Sequence, residues 1–504
     1  ALPPKMILGV AYGQGRGYYI SPQHMADFIQ AHHTKLMVFH NAVFDLEVIE
    51  QATDLDTAWL VDRNKVADTF IFERLLSLAT TGISEKYPTL QELTQRYAGI
   101  ELNKDEDIRT GFGQYAGESI STIPIPSRVY AAADAIATHK VYEKQLERLP
   151  DIRRACCSAY GYPGEDIITE AWDTYGPLTL FTQVKASILA SYMTRTGIGS
   201  ATDRAEELIE KLNQQITEAG QLLRASGIPT VLPGETEPRG QKKTKTAFLD
   251  YIKQQEDTWL EEELIGEELP RTDTGKIKSD KEARLDWPAD PVIEAFAKFE
   301  VAKKLRNTYA TKLTKPTLHP KWNPLLCTGR WSCTGDIAIQ TIPKGSDLRA
   351  CIVPPPGHHF VAVDYSTLEV VALAAAFEVM GYGSTLADII RDGADVHSLV
   401  AAKALGIEPE AVTKDQRKSA KPITFGRPGG MGAKTITKVA RLNYGLSMSE
   451  AEAEGIIRGY HKLCPELDKH MQSRGPNPGE ATAQALGLDH SGHGWDVLNV
   501  LKCG

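Results

Sequence analysis

The sequence predicts a multidomain protein of mixed α/β and α+β class. Three observations carry that expectation. The chain has 504 residues, which places roughly three domains in it rather than one. Residues 1–150 alternate short apolar runs with helical periodicities, the mark of an α/β layer arrangement. Beyond residue 150 helical patterns dominate, broken by a strand-and-turn interval at 321–385. The expected divisions are 1–150, 151–318, 319–385, 386–474 and an atypical tail at 475–504 rich in Gly, His and Asn.

Taken in order, residues 6–12 form an apolar strand followed by the turn-rich Gly13-Gln14-Gly15-Arg16-Gly17. That run is no dinucleotide fingerprint, since no G-x-G-x-x-G opens a helix there. Residues 36–39 make a second strand, ending at His40-Asn41, and helical patterns follow at 45–53, 69–77 and 89–97. The next region carries an amphipathic helix at 185–196 closed by Gly197, a longer charged one at 203–226, a loop at 229–245 and a helix at 294–312. Residues 360–363 (Phe-Val-Ala-Val) read as a strand, with a helix after Leu368. Helices then span 395–405, 414–425 and 449–460.

Composition narrows the function. Hydrophobic residues make up 42 % and charged residues 24 % of the chain, the balance of a soluble globular protein. No apolar stretch reaches the roughly 20 residues that cross a bilayer, so no membrane partner is expected. The first residues, Ala1-Leu2-Pro3-Pro4-Lys5, form no signal peptide, and a start at Ala rather than Met leads to the expectation of a natural N-terminus upstream. The seven cysteines are odd in number and include no C-x-x-C, which argues against a disulfide scaffold or zinc knuckle and favours a reducing compartment. A net charge of −9 speaks against nucleic acid, yet the distribution reverses it. Residues 301–350 hold nine Lys/Arg against two Asp/Glu, and 411–445 hold eight against one. Two basic segments flanking one acidic motif are what a phosphate backbone seeks.

That acidic motif is Asp364-Tyr365-Ser366-Thr367-Leu368-Glu369, delivered by the 360–363 run. A carboxylate at a strand end can hold Mg²⁺, which takes one or two carboxylates and completes its shell with substrate phosphates. Downstream, Arg417, Lys421 and Phe425 stand four residues apart and share one helical face. Arg grips phosphate bidentately, Lys adds a mobile point charge, and Phe425 offers a ring to a sugar or base. His397, opening the preceding helix, is a further donor. Together these residues describe phosphoryl transfer from a nucleotide.

The motifs resemble a known family. Residues 364–369 resemble motif A of the family A DNA polymerases (DNA polymerase I type), and Arg417-Lys418-Ser419-Ala420-Lys421-Pro422-Ile423-Thr424-Phe425-Gly426 resembles motif B, R-x-x-x-K-x-x-x-F-G. Thr328-Gly329-Arg330-Trp331-Ser332 through Gln340-Thr341-Ile342-Pro343 resembles the family's template–primer segment. At the front, His40-Asn41-Ala42-Val43-Phe44-Asp45 and Tyr130-Ala131-Ala132-Ala133-Asp134 resemble the second and third motifs of DnaQ-like 3′–5′ exonucleases, with Asp68-Thr69 also fitting that domain.

The resemblance implies an RNase H-like exonuclease domain followed by a right-hand polymerase of thumb, palm and fingers. It implies a DNA-directed DNA polymerase, a nucleotidyltransferase that joins dNTPs to a primer 3′-OH on primer–template DNA. Asp364 and the Tyr365 carbonyl would bind two Mg²⁺ ions roughly 4 Å apart. Glu369 would crowd the sugar 2′ position. Arg417, Lys421 and His397 would hold the triphosphate, Phe425 would pack on sugar and base, and Arg330 and Gln340 would touch the primer end. In the exonuclease, Asp45 and Asp134 would hold metal and Tyr130 would orient water. Cytoplasm of a bacterial or phage-infected cell is the implied compartment; a processivity factor is left open.

Departures accompany the match. Val371 stands where the family usually has Arg, Thr367 where Gln is common, and Gly429 where Tyr is common, a variant resembling some phage branches. The second acidic polymerase motif is not found, Asp489-His490 and Asp496 having the wrong order, and the first D-x-E exonuclease motif is not found ahead of residue 7. The expectation is a partial chain, catalytically incomplete as written. The alternatives are a single-subunit RNA polymerase-like enzyme, opposed by Glu369, Phe425 and the exonuclease-like front, and a non-catalytic DNA-binding protein on the same scaffold.

Overall fold

The computed structural model describes residues 5–472 apart from 82–83, 86, 103–105, 161–173, 241, 281–282, 327–328 and 380. The tail at 475–504, with Asp489, His490 and Asp496, lies outside the described residues, as does Thr328. Contacts among the described residues divide the chain into two units: Ala1–Thr196 with Lys321–Thr334, and Gly197–Pro320 with Gly335–Ser473.

The first unit begins with a hairpin. β1 (Gly9–Gly13) pairs antiparallel with β2 (Arg16–Ile20) through the two-residue turn Gln14-Gly15. Both turn residues have positive φ, 51° and 74°, the handedness that matches strand twist in a type I′ turn. The expected glycine-rich loop is thus a hairpin turn. After α1 (Met25–Ala31), β3 (Met37–Phe39) leads into α2 (Ala42–Thr53). Then α3 (Ala58–Asp62) precedes β4 (Val66–Asp68), which lies parallel to β3 with Phe39 opposite Asp68. α4 (Thr69–Thr81) runs through the core, with Phe72, Leu75 and Leu76 essentially unexposed against Leu180, Val184 and Ile188 of α8 (Leu180–Thr196).

α5 (Leu90–Ala98) starts on a Thr89/Glu92 capping box and stops at Gly99, whose φ of 65° only glycine adopts without cost. Beyond α6 (Glu106–Gly111), α7 (Ile125–Tyr160) packs Ala137 and Val141 against Leu90 and Leu93. Buried Glu73 joins these helices. It accepts from Arg96 at 2.8 Å, Tyr97 at 2.7 Å and Gln145 at 3.0 Å, the pairing a buried carboxylate requires.

The second unit opens with β5 (Ile198–Ser200) at the centre of a three-stranded antiparallel sheet with β6 (Thr317–Leu318) and β7 (Ile352–Val353). α9 (Thr202–Ala225) buries Leu208, Leu212, Ile216, Ala219 and Leu223, a stripe at helical spacing. It packs on α11 (Pro291–Thr308), which starts with Asp290 as N-cap and Pro291 in the first turn. α10 (Thr244–Glu261) lies between them in sequence and stacks Phe248 on Phe296 with centroids 3.7 Å apart.

A second core gathers α12 (Leu368–Val379), α13 (Thr385–Arg391), α14 (Val396–Leu405), α15 (Lys414–Gly426), α16 (Ala433–Val439), α17 (Glu450–Leu463) and α18 (Glu466–Gln472).

One expected element is not formed. Residues 360–363 make no strand, and Val361 and Val363 are 87 % and 88 % exposed. A strand is stabilised only through a ladder to a neighbour, and among the described residues no strand pairs with this run. The helix α10 carries no clear signal in the sequence, its buried Phe248, Ile252, Glu256 and Trp259 being obscured by the density of charge around them.

Candidate active site

The candidate nucleotide site is built on two adjoining helices. α15 starts on a capping box: Thr413 Oγ1 accepts from the Gln416 N–H and the Gln416 side chain accepts from the Thr413 N–H at 2.9 Å. Such a cap is worth about 1 kcal/mol. Pro422 lies inside this helix and cannot donate to the carbonyl four residues earlier. Ala420 and Ile423 are wholly buried against Val396, Val400 and Ala401 of α14. That apolar seam sets the two helices face to face and leaves Arg417, Lys421 and Phe425 half-buried along one edge.

α14 starts on Asp395, whose carboxylate accepts from the Ser398 N–H at 2.9 Å. The same carboxylate receives Arg417 through two bonds, Nε to Oδ2 and Nη2 to Oδ1, both 2.8 Å. Burial alone would raise the Asp395 pKa, but the bonds from Arg417 and Ser398 hold it down at about 2. His397 is 2 % exposed. Its Nδ1 meets Thr424 Oγ1 at 2.8 Å, and Thr424 Oγ1 also donates to the Lys421 carbonyl at 3.0 Å. The imidazole stands edge-on to Phe425, centroids 5.3 Å apart. Burial first, and then the charges of Arg417 and Lys421 working against Asp395, lower the His397 pKa. Four of the expected residues, His397, Arg417, Lys421 and Phe425, are therefore gathered in one place.

The acidic motif lies just before α12. Val370, Ala374 and Phe377 of that helix share the core of Ala420 and Ile423, so packing ties the motif's helix to α15. Asp364 is exposed, with no hydrogen bond or ion pair among the described residues, and Tyr365 is 77 % exposed. Thr367 adopts φ 52°, a left-handed conformation that costs a β-branched residue about 1–2 kcal/mol. Glu369 occupies the first turn of α12. Burial first and Glu369 second push the Tyr444 hydroxyl pKa up.

In the first unit, Asn41 adopts φ 72° at the start of α2. The conformation is fixed by Asp68 at the end of β4, whose carboxylate accepts from the N–H groups of Asn41, Ala42 and Phe70 at 3.0, 2.7 and 2.8 Å. Asp45, one turn into α2, has its carboxyl pushed up to about 7 by burial and by the neighbouring Asp68. Tyr130 and Asp134 are half-buried on α7, with the Tyr130 ring 6.3 Å from that of Phe112. Arg330 falls in the first unit and Gln340 in the second, and both are exposed.

Among the described residues no three or more His, Cys, Asp or Glu side chains gather as a metal-binding group. Asp364 alone fits a cation that shares its shell with substrate phosphates, the ordinary arrangement for Mg²⁺, rather than one caged by protein. Three participants escaped sequence reasoning. From sequence, Asp395 reads only as part of a helix opening, Thr424 as motif filler and Asp68 as a domain feature. An N-capping Asp two residues before a candidate phosphate-binding His is the signal that could have singled out Asp395.

Comparison with known proteins identifies two domains. Residues 242–477 match the model of DNA polymerase family A, and residues 18–150 match the model of a 3′-5′ exonuclease. The DNA polymerase of Mycobacterium phage D29 is 27 % identical over 86 % of this chain and 66 % of its own length. DNA polymerase I of Aquifex aeolicus is 30 % identical over 38 % of this chain and 33 % of its own. The chain thus spans two thirds or less of these relatives. A solved structure, the POL domain of Pol1 from M. smegmatis in complex with DNA primer-template and dNTP, aligns over 98 % of this chain and 80 % of that chain. Its TM-score is 0.58 at 17 % identity, a likeness of fold. Both families generally use divalent metals. No described helix is long and apolar enough to cross a membrane. The motif-bearing helices of the second unit and the exonuclease match ahead of them lead to one assignment: residues 242–477 are a family A DNA polymerase domain, preceded by a 3′–5′ exonuclease domain at residues 18–150.

Proposed function

We propose that this chain takes part in template-directed DNA synthesis, holding an incoming deoxynucleoside triphosphate on α15 against a primer–template. The single observation that carries the reading is the convergence of His397, Arg417, Lys421 and Phe425 on the α14–α15 seam, with α12 packed into the same core. Arg417 and Lys421 neutralise triphosphate charge, and Phe425 packs on sugar and base. His397, whose Nδ1–H is taken by Thr424 Oγ1, donates to a phosphate oxygen from Nε2 once the triphosphate charge favours the imidazolium form. Glu369 bounds the sugar pocket, and Arg330 and Gln340 contact the primer end. Asp364 and the Tyr365 carbonyl are the residues that would hold Mg²⁺, which supplies charge neutralisation to the phosphates when bound. Positioning and charge neutralisation carry most of the catalysis in such a transfer. The first unit serves proofreading, with Asp45 and Asp134 toward metal and Tyr130 toward water. The domain reading 1–150, 151–318, 319–385 and 386–474 as exonuclease, linker and thumb, palm, and fingers belongs to this proposal.

The test is ternary-complex formation by the full chain. A fluorescently labelled primer–template is titrated by anisotropy with Mg²⁺ and each dNTP in turn. The dNTP complementary to the next template base tightens binding, and the other three do not. Equal response to all four, or to none, overturns the reading.

A further inference from the structure

Arg417 is already engaged before any ligand is considered. Its Nε and Nη2 bond Asp395, while Nη1 has no partner among the described residues. A guanidinium offers two bidentate edges, a side edge through Nε and an end edge through the two terminal nitrogens. The carboxylate occupies the side edge and turns the end edge free. That same carboxylate caps α14 through Ser398, so one side chain fixes both Arg417 and the helix turn that carries His397.

We propose that Asp395 is a positioning residue for the triphosphate: it grips Arg417 by the side edge, presents the Nη1 end to a phosphate, and sets His397 alongside. The proposal rests on the nucleotide reading above. An isolated arginine on a helix surface samples many rotamers, and ordering it costs side-chain entropy. Asp395 removes that cost before the nucleotide arrives. The opposing effect is that the carboxylate cancels part of the Arg417 charge. A competing role, in which Asp395 occupies Arg417 until phosphate displaces it, predicts the opposite change on mutation.

The full chain is titrated calorimetrically with dATP and Mg²⁺ as wild type, Arg417→Ala, Asp395→Asn and the double variant. Asparagine keeps the helix cap but loses the charge and one of the two bonds to Arg417. Both single variants bind roughly tenfold more weakly, the loss of about one charge-assisted hydrogen bond. The double variant is within about twofold of Arg417→Ala, because Asp395 acts through Arg417. Unchanged or tighter binding by Asp395→Asn overturns the proposal. So does a double variant in which the two losses multiply, since a purely structural role adds independently. If circular dichroism shows Asp395→Asn unfolded, Asp395→Ser, which also caps, takes its place in the same cycle. The underlying nucleotide reading fails separately, and this inference with it, if wild type shows no saturable binding or Arg417→Ala binds as wild type does.

Discussion

Replacing Thr424 by Val separates the polar role of this residue from its packing role. Thr424 is 2 % exposed, and its hydroxyl both donates to the Lys421 carbonyl at 3.0 Å and meets His397 Nδ1 at 2.8 Å. Valine has nearly the same volume, so no cavity opens. What changes is that His397 Nδ1 is left without a partner where water does not reach. An orphaned buried polar group costs about 1–3 kcal/mol, so α14–α15 is destabilised by about 2 kcal/mol. Thr424→Ser keeps the hydroxyl and loses one methyl, costing about 1 kcal/mol. Because the chain has two units, whole-chain melting is a poor readout. Amide hydrogen exchange across 396–426 reports the local opening free energy directly. The valine variant exchanges roughly thirtyfold faster there, and its dNTP affinity falls with the loss of His397 orientation. The serine variant binds nucleotide nearly as wild type does. If valine leaves both exchange and nucleotide binding unchanged, the His397–Thr424 bond does not order the site.

Other perturbations have equally definite outcomes. Asp364→Ala abolishes the Mg²⁺-dependent gain in primer–template affinity produced by the matching dNTP while leaving binary primer–template affinity within about twofold; comparable loss of both would make the residue structural. The Asp395 carboxyl, held at about 2 against an ordinary 3.8, stabilises the fold above pH 4 and loses that contribution as pH falls toward 2. Because the pair is partly exposed, the contribution is about 1 kcal/mol. The opening free energies of 396–426, read by amide exchange in wild type and Asp395→Asn, therefore differ at pH 6 and converge near pH 2, and a gap independent of pH would contradict the ion pair. Asp68→Ala removes a buried acceptor of several backbone N–H groups and costs about 3 kcal/mol or more, read as faster exchange at Asn41, Ala42 and Phe70. Phe377→Ala empties a site 1 % exposed where α12 meets Tyr382 and His470 of α18 and costs about 3–5 kcal/mol, with nucleotide affinity falling although residue 377 touches no ligand.

The helices of the site were legible because local signals coincide there. Thr413 and Gln416 mark the start of α15, and the Arg417–Lys421–Phe425 spacing survives folding because nothing but helical period places those residues. The same holds for α9, whose apolar stripe is regular, and for α5, bracketed by Thr89 and Gly99. Residues 360–363 failed for the converse reason. Their β-branched composition states a preference, but strand formation depends on a neighbour that no local pattern supplies. Asp395 as the partner of Arg417 lay beyond sequence reasoning too, since 22 positions separate them and only the α14–α15 seam brings them together. Asp68 behaves likewise: its hold on Asn41 spans 27 positions and depends on β3 and β4 lying parallel.

Photocrosslinking with an azido-purine deoxynucleoside triphosphate, followed by peptide mapping of the full chain, asks most directly whether α15 clasps the nucleotide tail. The label is expected within Lys414–Gly426 or the adjoining turn at His397, and its yield is expected to fall sharply in Lys421→Ala. Labelling elsewhere, or at the same yield without the Lys421 ammonium, would contradict the account.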